Sequence, residues 1–165
     1  LQNALDAINA CPEAVEHLSG GQSEVSIVWH DPATGMRCKA RIDYLKEDCL
    51  TDLKTSRDDG PSPLPESFEW SLWTYNYYTQ AAFYQTGWAV VTGERLPFWF
   101  VVVGTDAPMQ CVAAPVGEAT LHLGRTKNME RLALYAACKE AGEFPGYDSP
   151  ELFELPERYL PSEVM

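Results

Sequence analysis

GMRCKARIDYLKEDCLTDLKT, residues 35–55, is the stretch on which the fold turns. With a period of two it divides into faces, Cys38, Ala40, Ile42 and Tyr44 on one and Lys39, Arg41 and Asp43 on the other. After Glu47-Asp48 the alternation resumes, with Cys49, Thr51 and Leu53 against Asp52 and Lys54. The pattern predicts a β-hairpin with an apolar side and a charged side. If Glu47-Asp48 is the loop, Lys46 faces Cys49 and the residue numbers of every cross-strand pair add to 95. Asp43 then sits opposite Asp52, and Arg41 opposite Lys54.

The preceding run, Ser23 to Asp31, alternates as well: Val25, Ile27 and Trp29 against Glu24, Ser26 and Val28. Pro32-Ala33-Thr34-Gly35 is suited to a turn, because Pro and Gly supply its backbone angles. Pairs across that turn add to 67 and place Glu24 opposite Asp43. Three strands thereby put Glu24, Asp43 and Asp52 in one row and Ser26, Arg41 and Lys54 in the next. Val25, Ile42 and Leu53 stack on the other face.

Facing like charges cost roughly 0.2–1 kcal/mol per pair. Neighbouring strands are about 4.8 Å apart, so carboxylates in one row can converge on a cation. A hard divalent ion such as Mg²⁺, which takes carboxylate, carbonyl and water oxygens, turns that repulsion into binding. The alternative is a solvated checkerboard, neutralised by diagonal Arg41–Asp52 and Asp43–Lys54 pairs. A one-residue slip of register would scatter the row altogether.

Asp43, then Asp52-Leu53-Lys54, then Gln80-Ala81-Ala82-Phe83-Tyr84 resembles the motif set of the PD-(D/E)XK nuclease superfamily, in its RecB-like branch. More narrowly, Gly35-x-x-x-Lys39-Ala40-Arg41-x-Asp43 with Asp52-Leu53-Lys54-Thr55 is similar to the C-terminal nuclease domain of the exonuclease VIII (RecE) family of prophages. The resemblance covers roughly residues 1–145. Asp-x-Lys alone is a very weak signal; the ordered set at these spacings is fairly specific. The resemblance implies an α/β fold, a restriction-endonuclease-like core with a central mixed β-sheet flanked by helices.

It also implies a Mg²⁺-dependent exodeoxyribonuclease, with Mn²⁺ able to substitute. Such enzymes digest one strand of linear double-stranded DNA from its 5′ end and leave a 3′ tail for recombination. They work with a RecT-like single-strand annealing protein and assemble as homo-oligomeric rings. On this reading Asp43 and Asp52 are direct metal ligands, the Leu53 carbonyl supplies a third oxygen, and Glu24 ligates through water or completes a second metal position. Lys54 orients the attacking water, Arg41 holds the scissile phosphate, and Gln80 and Tyr84 border the site and contact substrate. The family also carries a functional histidine on a helix before the first strand, and His17 sits in no pattern that matches it. Two rivals stay open: a structure-specific or restriction-type endonuclease of the same superfamily, and a catalytically silent relative that binds DNA or protein.

Composition sets bounds on this reading. A chain of 165 residues is one domain with room for a core. Leu1, in place of an initiator Met, suggests a fragment of a longer chain. No apolar run reaches the roughly 18 residues that span a membrane, and no signal peptide is visible. The five cysteines form no Cys-x-x-Cys pair and no set suited to an iron–sulfur cluster, and read best as reduced thiols in a cytoplasm. A net charge of −12 counts against a nucleic-acid partner, since phosphate attraction dominates such affinity. Against that, six of the 12 basic residues (Arg37, Lys39, Arg41, Lys46, Lys54, Arg57) cluster at the proposed site.

Elsewhere, residues 3–19 read as helix with a break at Pro12, ended by Ser19-Gly20-Gly21. His17 is expected at the surface or as a cap. Ser56–Pro65 reads as a loop beside the site, either a flap over substrate or an ordinary crossover. A long helix is expected over Glu66–Val91, where nine of the nineteen aromatic residues fall. They form either a stacking platform for unpaired bases or the faces of a buried helix. Leu96–Gly104 reads as a central strand, Met109–Val116 as its hairpin partner, and Gly117–Ala141 as a helix with Leu121, Leu132, Leu134 and Tyr135 inward. Arg125, Lys127 and Arg131 either meet DNA backbone or lie on a solvated face. Residues 146–165 form a Pro-rich extended tail, which packs on a neighbouring subunit or on its own domain.

Overall fold

The computed structural model describes residues 2–57 and 64–147. Two short helices, α1 (Gln2–Asn9) and α2 (Pro12–His17), precede three strands, β1 (Gln22–His30), β2 (Arg37–Leu45) and β3 (Leu50–Ser56). Helices α3 (Leu64–Thr74) and α4 (Tyr77–Thr92) then lead to β4 (Phe98–Gly104), β5 (Cys111–Pro115) and α5 (Glu118–Ala141). The strands form one sheet in the order β1-β2-β3-β4-β5. Only β3 and β4 run parallel, so the sheet is mixed. The parallel step requires a crossover, which α3 and α4 supply.

Both hairpin registers follow the expected pairing next to their turns, Val25 facing Ile42 across the first and Tyr44 facing Thr51 across the second, but the expected Asp43–Asp52 and Arg41–Lys54 pairs do not form. Gly35, at φ 68°, closes the first turn while Asp31 Oδ2 accepts the Thr34 N–H. The faces depart from expectation. Ile42 and Val25 pack into the apolar cluster that holds Leu50, Phe98 and Phe100, while Leu53 is 41% exposed on the opposite face. Leu45 meets the same cluster three residues after Ile42, so the period of two breaks between them. The break is at Asp43, whose facing residue Glu24 adopts φ 58° and drops out of the pairing. The strands therefore twist where a flat row was expected.

The core lies between the sheet and α3–α4, with α5 packed across α4. Trp29 lies flat under Gly87, where an added Cβ would come within 2.6 Å of the indole ring. Gly124 lets α5 touch α4, since a Cβ there would meet the Tyr78 carbonyl oxygen at 2.4 Å. The single long helix expected over Glu66–Val91 is two helices. Asn76, at φ 56°, turns the chain between them, and its carbonyl accepts the Thr79 N–H at the start of α4. On the outer face of the sheet α1 and α2 cover β4 and β5. Leu134 and Tyr135 are 65% and 51% exposed, so only Leu121 and Leu132 of the inward set on α5 reach the core. No helix among the described residues is long and apolar enough to cross a membrane. The middle of the proposed flap and the tail beyond Tyr147 lie outside the described residues.

Candidate active site

β2 and β3 are joined through only two facing pairs, Tyr44–Thr51 and Leu45–Leu50, and then part. Along β3 the backbone of even-numbered residues points at β4, as the Leu50 N–H to Pro97 carbonyl bond shows. Thr51, Leu53 and Thr55 therefore direct their N–H and C=O groups toward β2, into the widening gap. Asp43 fills part of it: its Oδ2 accepts the Leu53 N–H at 3.0 Å. The Leu53 carbonyl points to the same side as that N–H, toward Asp43.

On the helix-covered face of β3, Asp52 and Lys54 are neighbours. Asp52 is 1% exposed, and its Oδ1 accepts the Gln80 amide N–H from α4 at 2.6 Å. Lys54 Nζ lies 2.5 Å from Asp52 Oδ2. The two make a close ion pair, in which the buried Oδ2 has Lys54 as its partner and receives no hydrogen bond from Gln80. The ammonium also sits over the Tyr77 ring, 4.7 Å from its centre. The Asp52 carboxyl is pushed up to about 6, raised chiefly by burial, lowered by Lys54, raised again by the charge of Asp43 and lowered by the Gln80 hydrogen bond.

The structure thus brings together Asp43, Asp52, the Leu53 carbonyl, Lys54 and Gln80. It does not bring Glu24 and Arg41 to them. Glu24 accepts from the Arg41 ε-nitrogen at 2.6 Å, with both side chains more than half exposed. The left-handed turn at Glu24 carries its carboxylate out of the acidic row, and the face reversal at Asp43 leaves Arg41 pointing away. Among the described residues no group of three or more His, Cys, Asp or Glu is placed to share a metal ion. Tyr84, one turn beyond Gln80, stands edge-on to Phe98 at 6.3 Å and lines the groove beside the site. Tyr77, under the ammonium, joins the site as well; it lies three residues before Gln80 on the same helix face, a spacing that places it beside Gln80 but gives it no role.

His17 is neither a surface residue nor a member of this group. It is 8% exposed, stacked on Trp99 at 3.7 Å, with Nδ1 3.5 Å from Cys49 Sγ on the other side of the sheet.

The donor set fits a hard divalent cation. It consists of two carboxylates, Asp43 and the buried Asp52, with a backbone carbonyl beside Asp43, and Mg²⁺ is commonly held by one or two carboxylates with water completing its shell. Residues 2–154 match the family described as a PDDEXK-like domain of unknown function (DUF3799). The chain belongs to this family. The PDDEXK-like core accounts for the mixed five-stranded sheet flanked by helices.

A crystal structure of a "putative exonuclease" from Eubacterium rectale has the same fold, with a TM-score of 0.66 at 21% identity over 87% of this chain and 54% of that one. The structure of SSO0001 overlays less well, with a TM-score of 0.38 at 19% identity over 74% of this chain and 52% of that one. This PDDEXK-like chain spans about half the length of either. No curated protein matches it.

Proposed function

We propose that this PDDEXK-like domain is a Mg²⁺-dependent DNA exonuclease acting on linear duplex. The observation that carries the reading is the buried Asp52 carboxylate paired with Lys54, next to the strand gap that holds Asp43 and the Leu53 carbonyl. Asp43, Asp52 and the Leu53 carbonyl would hold the cation, with Mn²⁺ able to take its place. When bound, such an ion supplies Lewis acidity for the phosphoryl oxygens and an activated water. Gln80 fixes the Asp52 carboxylate through Oδ1, which keeps Oδ2 aimed into the site. Lys54 holds a positive charge where negative charge develops on the phosphate, steadied from below by the Tyr77 ring. Near neutral pH Asp52 is ionised despite its raised pKa, because that value is about 6. Glu24 and Arg41 have no part in this scheme.

The likeness of the motifs to exonuclease VIII supports attack from the 5′ end, a 3′ tail passed to an annealing protein, and assembly into rings. The test is incubation of linear and closed circular duplex DNA with Mg²⁺, with Ca²⁺ as the inert control. Nucleotides released from the linear form alone are the expected result. Cutting of the circle would make the domain an endonuclease, and no cleavage of either by folded protein would refute the reading.

A further inference from the structure

We infer that the strand being cut is held unpaired, in a groove that opens at the corner between α3 and α4, by stacking of its bases on tyrosine rings, the exposed Tyr75 foremost. The inference rests on the nuclease reading for its ligand, and deepens it by naming the form the DNA takes. A groove of about 500 Å³ runs between the start of α4 and α5. Two of its walls belong to the site already described: Gln80, bonded to Asp52, and Tyr77, beneath the Lys54 ammonium. A strand lying in this groove therefore passes the two side chains that touch Asp52 and Lys54.

One ring along it is unusually bare: Tyr75 is 65% exposed and lies 5.6 Å from Tyr77. Burial explains most aromatic residues of this segment but not Tyr75, nor Trp70 and Trp73, which are 73% and 63% exposed and line a separate depression on α3. The left-handed Asn76 follows Tyr75 directly and redirects the chain at that point. The opposite wall carries Arg131 of α5. Its guanidinium bonds only to neutral acceptors, Asn76 Oδ1 at 3.3 Å and Thr79 Oγ1 at 3.4 Å, and has no carboxylate partner among the described residues. In a chain of net charge −12, a cation left un-neutralised beside an exposed ring suits an anionic, base-bearing ligand. Single strands offer that combination, π-faces and phosphates together, whereas the bases of a duplex already cover one another.

The experiment measures binding of a fluorescein-labelled oligothymidylate and of a blunt duplex of equal length by anisotropy, in Ca²⁺ so that no cleavage intervenes. Wild type, Tyr75→Ala, Tyr75→Phe and Arg131→Gln are compared, with circular dichroism confirming that each is folded. Expected is a loss of roughly tenfold or more in single-strand affinity for Tyr75→Ala, with Tyr75→Phe close to wild type because the ring is kept. Arg131→Gln should weaken single-strand binding and lower its salt slope by about one phosphate contact. Unchanged single-strand affinity in Tyr75→Ala would overturn the inference, as would equal losses on single strand and duplex, or no binding of the oligothymidylate by wild type. The nuclease reading fails separately. If wild type releases no nucleotides in Mg²⁺ yet binds single strands through Tyr75, the groove stands and the cleavage does not.

Discussion

Asp52 is the residue at which stability and function pull apart. Its carboxylate is buried and close to a second negative charge, a cost that the Lys54 ammonium and the Gln80 amide offset only in part. The cost is visible as a pH dependence. In the folded chain the proton is held up to about pH 6, against 3.8 for the unmodified group, so the stabilising contribution is complete below 3.8 and is lost as pH rises through 6. With chelator present, unfolding by urea should show a decline of roughly 3 kcal/mol from this group between pH 4 and 7. Asp52→Asn should flatten that decline. Substitution also separates the members of the acidic row. Asp52→Ala and Lys54→Ala should each lower Mg²⁺-dependent cleavage about a hundredfold or more, whereas Glu24→Gln should leave the rate within about twofold. The sequence could not separate them, because alternation alone puts Glu24 beside Asp43. What removes it is a single positive φ, which Glu tolerates poorly and which no side-chain pattern announces.

At the level of elements, the two hairpins were legible because turn residues and alternation agree, and both registers next to the turns follow from adding residue numbers. The direction in which the faces point was not legible beyond Asp43, since a local twist reverses the sides without changing the pairs that form. Gln80 and Tyr84 on one helix face could be read from spacing, but only the fold shows that Gln80 meets Asp52. The break at Asn76 is likewise hidden: aromatic residues run unbroken through it, and the turn depends on a left-handed residue that Asn accepts more readily than most. The α4–α5 contact depends on Gly124, which has no room for a side chain. Gly124→Val should destabilise the domain by about 1–3 kcal/mol, read as a shift of urea midpoint at unchanged slope. An unchanged midpoint would mean that α5 can shift away from α4.

For the molecule as a whole, the acidic composition governs how DNA is approached. A net charge of −12 leaves few cations to displace counterions, and several basic residues are already neutralised by neighbours, among them Arg41, Lys46, Arg125 and Lys127. The plot of log affinity against log salt should accordingly be shallow, with a slope of about −1 to −2, measured in Ca²⁺ with single-stranded DNA. A steep slope would mean that more cations meet phosphate than Lys54 and Arg131. Specificity would then come from the groove and the bound cation in place of a broad positive field. Everything about catalysis rests on that cation. Titrating Mn²⁺ into metal-free protein by electron paramagnetic resonance measures it directly, in wild type, Asp43→Asn and Asp52→Asn. The expected result is a bound ion in wild type, with affinity lower by roughly tenfold or more in each variant. Identical binding in all three proteins would contradict the assignment of those two carboxylates as the metal's ligands.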